Sequence, residues 1–572
     1  MPIHNAEIAD IFDTLADLLE IEDANPFRVR AYRNAALSIR QYARSMQSLV
    51  DAGKDLSELP AIGHDLAEKI KVIVRTGKLP LLEEVRSRTP AALSELMTIE
   101  GLGPKRVKAL YKVLKIRSLD DLKRMAENGK IRELEGFGEK TEASILEHVE
   151  RYHGKVKRIL LAAAEEVADS LSAYLTGIHG VKELAVAGSF RRRKETVGDL
   201  DILVTARKDS PVMQRFTEFD EVAEVLSHGK TRSTVVLRSG LHVDLRVLPE
   251  VSYGAALQYF TGSREHNIEV RRLAVKKGYK INEYGVFKND KRIAGKTEKE
   301  VYAKVGLPYI EPELRENRGE IEAGLKGTLP KLIELKDIRG DLHCHTSATD
   351  GRNSLEEMVT AAKEYGYEYV SINDHSRHVT VANGMDEKRL RKQLAEIDKL
   401  NDKLTGITIL KSIEVDILED GSLDLPDSVL RELDFTVCSV HYKFHLSREK
   451  QTKRIIRAMD NPLFLILAHP SGRLINEREA YDVDMERIMA AARERGCHLE
   501  VNAQPSRLDL NDVHCKVAKE MGLKFSIATD THSTAGFSTM RFGIDQARRG
   551  WLEAEDVINS YTLKKLKKYL SR

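Results

Sequence analysis

The sequence predicts a multidomain chain: an all-α helix–hairpin–helix region at the N-terminus, an α+β middle part, and a C-terminal α/β barrel. Three observations carry that reading. At about 100–200 residues per domain, 572 residues make room for three to five domains. Apolar residues keep a helical spacing through residues 5–150 and switch to a period of two between Lys182 and Pro249. From about Asp337 to the end, short apolar strands alternate with amphipathic stretches, as in a barrel-like α/β domain.

Composition narrows the function class. Hydrophobic residues are 42% and charged residues 31%, which fits a packed globular chain. No uninterrupted apolar run reaches the ~18 residues of a membrane span, and Met1–Glu7 has no basic-then-apolar leader pattern. The four cysteines, Cys344, Cys438, Cys497 and Cys515, form no CxxC pair. A reducing cytoplasm is the expected location. Residues 151–300 carry 27 Lys and Arg against 20 Asp and Glu, a balance that suits a polyanionic partner and that ordinary surface charge also gives. Histidine is more telling, because 10 of the 18 lie beyond residue 340.

In the first part, Ile8, Ile11, Phe12, Leu15, Leu18 and Leu19 fall on one helical face. Three segments then repeat an apolar–x–Gly/Ala–apolar–Gly core ahead of a helix: 59-LPAIGHDLAEKI-70, 99-IEGLGPKRVKAL-110 and 134-LEGFGEKTEASI-145. Each reads as a helix–hairpin–helix. Such a turn leaves backbone N–H groups free at a helix start, where they can hold a DNA phosphate. Gly101, Gly103, Gly136 and Gly138 are the candidate phosphate-facing positions, and Ala61 departs from the pattern.

In the middle part, strands are expected at 183–189, 200–206, 234–238 and 241–248, the last two joined by a Ser239-Gly240 turn. Asp199 and Asp201, two apart on a strand, face one side. Asp244 lies in 243-VDLRV-247 on another strand. Three converging carboxylates need cations, and an all-oxygen set favours Mg²⁺ or Mn²⁺. Two such ions would activate a hydroxyl and stabilise a leaving pyrophosphate. Gly188, Ser189 and Arg192, just upstream, could cradle a triphosphate. Residues 251–320 are mixed short elements, and the charged, Pro- and Gly-punctuated stretch that follows is expected as a linker.

The last part places a His, Asp or Glu after strand upon strand. Strands are expected at 338–344, 368–373, 407–415, 435–440, 464–468, 498–502 and 525–529. Strand ends of an α/β barrel share one mouth, which here would collect His343, His345, Asp350, His375, Glu414, His441, His469, Asp530 and His532. A mixed imidazole and carboxylate set suits Zn²⁺, Mn²⁺ or Fe²⁺, two or three ions, and the hydrolysis of a phosphodiester. His378, His445, His498 and His514 lack the pattern and are expected at the surface or in packing.

These motifs resemble two known families. GS…GDLDILV, VDLRV, and 258-QYFTGSREHNIEVRRLAVKKGYKINEYGVF-287 resemble the nucleotidyltransferase palm and thumb of family X DNA polymerases, the DNA polymerase beta group. The resemblance implies that Asp199, Asp201 and Asp244 hold two metal ions, with Arg246 supporting them. It implies nucleotide contacts from Gly188, Ser189, Arg192, Gly198, Tyr259, Phe260, Gly262 and Asn267, and a template contact from Arg271. Tyr259 and Phe260 would exclude a ribose 2′-hydroxyl. The run 25-NPFRVRAYRNAALSI-39 is similar to the small domain that binds a 5′-phosphate, with Lys69 at the Schiff-base position used by some relatives as a 5′-deoxyribose-phosphate lyase. Asp65 stands where relatives place a phosphate-binding lysine, which argues against that activity.

Residues 337–572 resemble the PHP (polymerase and histidinol phosphatase) phosphoesterases, whose fold is a distorted TIM-like barrel; all nine ligand positions match, and Arg507 is a candidate phosphate contact. The two resemblances imply domains at 1–85, 86–152, 153–250 (palm), 251–318 (thumb), 319–336 (linker) and 337–572 (PHP). They imply a gap-filling DNA polymerase of base excision repair with a 3′→5′ exonuclease, which in some relatives also cuts at abasic sites. The expected partners are gapped or primer–template DNA and dNTPs, and a monomer is expected because no long coiled-coil pattern occurs. A phosphatase for a small metabolite and a non-catalytic DNA-end scaffold are the alternatives.

Overall fold

The computed structural model describes residues 5–41, 46–59, 61–89, 93, 96–97, 99, 102–134, 136–139, 141–143, 145–146 and 158–570. The chain divides into two compact units, Met1–Lys157 and Arg158–Arg572.

The first unit is helical. Helix Asn5–Ile21 buries Ile8, Phe12, Leu15 and Leu19 on the face their spacing defines, and Phe12 packs on Tyr32 of helix Pro26–Gln41 with ring centroids 5.6 Å apart. The three repeated turns share one hydrogen bond, from Ile62 N–H to Leu59, Leu102 N–H to Ile99, and Phe137 N–H to Leu134, at 3.0–3.1 Å. Helices His64–Thr76 and Pro104–Leu114 begin after Gly63 and Gly103, and neither start is capped by a side chain. Their first-turn N–H groups therefore remain for an outside acceptor. Gly136 has φ +84° and Ala61, its counterpart in the first copy, φ +60°, so that copy holds the same turn against the preference of an L side chain. Gly101 lies outside the described residues.

The second unit begins with a mixed five-stranded sheet: β1 (Val181–Val186), β2 (Asp199–Ala206), β3 (Val222–His228), β4 (Arg232–Leu237) and β5 (His242–Val247). Their order is β1-β2-β5-β4-β3, with β2 and β5 parallel and the other pairs antiparallel. Alternation along β2 sends Leu200, Ile202 and Val204 into one core and Leu203 into the other. Edge strand β3 was not among the expected strands, since it is largely exposed and carries no buried stripe for a pattern to reveal. Residues 253–305 add three helices, Tyr253–Thr261, Arg264–Lys276 and Glu298–Val305, and a small antiparallel sheet over residues 280–294.

The segment 319–336, expected as a linker, is instead fixed. Glu320 opens helix Glu320–Lys326, is fully buried, accepts from the N–H groups of Asn317 (2.9 Å) and Arg318 (2.7 Å), and pairs with His266 at 2.7 Å. The buried carboxylate is held by backbone N–H groups and an imidazole in place of water.

The C-terminal part holds β6 (Gly340–Asp341), β7 (Tyr369–Ile372), β8 (Thr408–Lys411), β9 (Glu414–Asp416), β10 (Val437–Ser439), β11 (Ile466–Leu467), β12 (His498–Asn502) and β13 (Phe525–Ala528). They form parallel sheets β6-β7-β8 and β9-β10-β11-β12-β13. Parallel bridges Cys344↔Thr531 and His375↔Glu414 join the two sheets at both seams, which makes a distorted barrel. The expected single strand 407–415 breaks at Ser412-Ile413. Leu508 and Phe542, from the barrel, are buried in the core of the five-stranded sheet. Among the described residues no helix is long and apolar enough to cross a membrane.

Candidate active sites

In the five-stranded sheet, the parallel register sets Asp201 directly opposite Asp244, and Asp199 opposite His242. Gly188, at φ +65°, turns the chain against this face. A Cβ there would stand 2.9 Å from Asp201 Oδ2 and would strain the left-handed backbone, so glycine suits the approach. Burial, and then the charges of Asp199 and Asp244, push the Asp201 carboxyl up to about 7. Asp244 accepts from the Thr234 hydroxyl and from Arg232 (3.2 Å). An oxygen-only set crowded enough to hold a proton near neutral pH fits divalent cations. Arg246 lies over the Phe260 ring, 4.5 Å from its centroid, and Tyr259 meets Phe260 edge-on at 5.1 Å.

Asn267 is buried; its amide donates to the Tyr259 carbonyl (2.7 Å) and accepts from Gln258 (2.6 Å), while Arg271 donates to the Asn267 carbonyl (3.2 Å). Ser189 lies on the short helix Gly188–Arg191. Arg192, at its end, donates to the Thr261 carbonyl (2.5 Å) beside Gly262, whose φ is +69°. Gly198 is buried immediately before β2.

At the barrel mouth the nine expected residues meet. Three overlapping groups bring ligand atoms within 4.8 Å of one another: His345, Asp350, His375 and His532; His343, His345 and Asp530; His375, Glu414 and His441. Among the described residues such groups occur only here; the three carboxylates of the sheet stand further apart. His469 Nε2 lies 2.9 Å from Glu414. His343 and His345 bring their Nε2 atoms to 3.1 Å, close to the roughly 3.3 Å expected of two nitrogens sharing one tetrahedral Zn²⁺-sized ion. His345 Nδ1 and His469 Nδ1 are buried without a hydrogen-bond partner. Burial, then the His375 and His532 rings, push His345 down to about 4, so its ring is neutral at working pH, the form that can bind metal. His469 and Asp530 have φ of +28° and +48°, strained backbone of the kind that functional sites retain. The donor set, the ring spacing and the orphaned nitrogens all fit divalent metal.

Comparisons with known proteins cover both regions. The description "DNA polymerase beta palm" matches residues 158–259, "DNA polymerase beta thumb" residues 256–316, and "PHP domain" residues 341–504. A helix-hairpin-helix domain matches 3–79 and a SAM-like helix-hairpin-helix tandem 93–151. The chain is 36% identical to the DNA polymerase/3′-5′ exonuclease PolX of Bacillus subtilis (strain 168), over 100% of both chains. It belongs to the family X DNA polymerases that carry a PHP domain. Rat DNA polymerase lambda is 28% identical over 55% of this chain and 56% of its own length. A probable phosphatase of Thermoanaerobacter sp. (strain X514) is 28% identical over 40% of this chain and 93% of its own.

In this family X polymerase with a PHP domain, two carboxylates stand behind the imidazoles of the barrel mouth. Glu500 takes His343 Nδ1 at 2.6 Å and the His469 N–H at 2.8 Å, and Asp416 takes His441 Nδ1 at 3.1 Å. Each carboxylate fixes which ring nitrogen is left for metal. Neither residue was foreseen: Glu500 lies in β12, which the pattern located, and Asp416 just past the expected strand 407–415, and an acid in a strand does not by itself reveal its histidine. Exposed His378 lies tilted against Tyr442, centroids 4.2 Å apart, and buried His498 stacks on Tyr569. Lys69 is tied to Asp65 one turn earlier on its helix. Arg507 reaches into the mouth, 3.5 Å from Asp530, and is not a free surface charge.

Proposed function

We propose that this chain fills short gaps in DNA during base excision repair and trims 3′ ends with its PHP domain. The observation that carries the reading is the pairing, in one chain, of in-register Asp201 and Asp244 with a mouth where eight imidazole and carboxylate side chains group and His469 joins them through Glu414. Asp199, Asp201 and Asp244 would hold Mg²⁺ or Mn²⁺, and the nine PHP residues two or three ions of Mn²⁺, Zn²⁺ or Fe²⁺. Such ions activate the attacking oxygen and stabilise the leaving one.

The chain's own groups do the rest. Ser189 and Arg192 bind the triphosphate, and the Arg192 guanidinium offsets charge on the leaving pyrophosphate. Asp244 lies beside the primer 3′-hydroxyl, with Arg246 supporting the carboxylates. Gly188, Gly198 and Gly262 let backbone approach the nucleotide, Tyr259 and Phe260 wall off a 2′-hydroxyl, and Asn267 and Arg271 read the sugar edge and template. Gly103, Gly136 and Gly138 leave N–H groups for DNA phosphates on either side of the gap. Arg507 meets the phosphate of the strand being cut. The Lys69–Asp65 ion pair ties up the Lys69 amine, which leaves lyase activity weak. The protein works where DNA and dNTPs are, in the cytoplasm.

The test is a 5′-labelled primer across a one-nucleotide gap, with Mn²⁺, with and without dNTPs. Lengthening with dNTPs and stepwise shortening without them is expected; an unchanged primer in both lanes refutes the reading. Asp244→Asn should end only lengthening and His345→Ala only shortening. The likeness to a probable phosphatase favours a second reading for the PHP domain alone, release of a terminal phosphate, which a 3′-phosphorylated primer would reveal.

A further inference from the structure

Three consecutive arginines leave the palm in three directions. Arg191 grips Glu298 of the thumb at 2.6 Å, Arg192 grips Glu316 at 3.0 Å, and Arg193 grips Asp545 of the PHP domain at 2.6 Å. Behind Arg192 lies a cavity of about 300 Å³ between palm and PHP domain. Its lining carries the cations of Arg158, Arg192, Lys194, Arg318 and Arg549 against the carboxylates of Glu195 and Asp512. Glu195 is already taken by Arg473 at 2.7 Å, and Asp512 by Arg318 (3.0 Å) and Arg549 (2.5 Å). Lys194 is half-buried and makes no ion pair among the described residues. The cavity thus has cation to spare for a polyanion.

Arg549 closes the far wall. It is only 2% exposed, donates to the Arg192 carbonyl at 2.7 Å, and shares Glu316 with Arg192, at 3.1 Å. Burial works against the Glu316 charge, but Arg549, Arg192, Lys194 and Arg318 outweigh it and hold the carboxyl down to about 2. Glu316 is therefore an anion already seated on the guanidinium that the triphosphate needs.

We propose that Arg549 of the PHP domain is a positioning residue for the incoming nucleoside triphosphate: it keeps Glu316 partnered while the triphosphate takes Arg192 from it. This rests on the polymerase reading of the palm. A carboxylate that loses one of two charge-assisted bonds keeps most of its stabilisation, whereas one that loses its only such bond does not yield. Without Arg549, Glu316 holds Arg192 harder and nucleotide binds more weakly.

The experiment is steady-state insertion into a one-nucleotide gap by the full chain, over a dNTP series. Arg549→Ala should raise KM for dNTP about tenfold, with kcat within about twofold and 3′-end shortening unchanged. Glu316→Gln should lower KM, and the double variant should match Glu316→Gln alone. A role in folding alone would instead lower kcat and shortening together, with no rescue. An unchanged KM in Arg549→Ala, or a double variant as impaired as Arg549→Ala, overturns the proposal. If Arg549→Ala does not fold, Glu316→Gln alone decides: a KM that stays or rises overturns it. A wild-type chain that adds no nucleotide overturns the polymerase reading and this inference together, whereas a working wild type with an indifferent Arg549 overturns the inference only.

Discussion

Replacing Asp201 by Asn should make the metal-free protein more stable while it ends nucleotide addition. Burial, with Asp199 and Asp244 alongside, lifts the folded carboxyl to about 7 from the ordinary 3.8. An acid whose folded pKa is raised binds its proton more tightly in the native state, so stability falls as pH rises from about 4 to about 7 and is level beyond. At about 1.4 kcal/mol per pH unit, ionised Asp201 costs of the order of 4 kcal/mol at pH 8 and about half of that at pH 5.5. The advantage of D201N in EDTA should thus grow by about 2 kcal/mol between those two pH values. For a unit of this size that is a few degrees in Tm. Saturating Mn²⁺ should shrink the advantage, because the ion offsets the same repulsion. Thermal unfolding of both proteins at each pH, in EDTA and in Mn²⁺, measures it. An advantage that is flat in pH, or larger at pH 5.5, would refute the claim that crowding of carboxylates is what this face stores.

Glu500→Gln should weaken metal binding by the PHP domain roughly 10–100-fold, read by Mn²⁺ titration of primer shortening, with nucleotide addition untouched. Glu142 is fully buried and accepts from the N–H groups of Ile131 (3.0 Å) and Arg132 (2.9 Å), so Glu142→Ala should cost the helical unit about 2–3 kcal/mol in urea unfolding. Phe542→Ala, which empties a place in the palm core, should cost about 3–5 kcal/mol and loosen palm strands as well as the barrel, as hydrogen exchange would report.

What the sequence disclosed and what it hid divide along physical lines. Asp199, Asp201 and Asp244 were legible because strand alternation fixes which side chains share a face, and the strand-end histidines because a barrel has one mouth. The repeated turns were legible because their left-handed turn position favours glycine, which leaves a recurring local pattern even though the first copy uses Ala61. Glu500 and Asp416 were not, since each acts through a histidine far away in the chain. Glu320 and its segment read as a linker because composition reports charge and not its partner. Strand β3 was missed because an edge strand that buries little has little pattern, and the break at Ser412-Ile413 because an apolar run does not mark where its hydrogen bonds change sheets.

His345 and His375 each belong to two of the three ligand groups at the PHP mouth. A neutral imidazole has one nitrogen lone pair to give, since its other nitrogen carries the proton. Each of these rings can therefore serve only one of its two groups at a time. The groups draw on a common stock of donors, so filling one leaves its neighbour a smaller set. Swapping a single ion would then re-sort its neighbours, and two samples of equal metal content, loaded in different orders, could differ in how fast they cut.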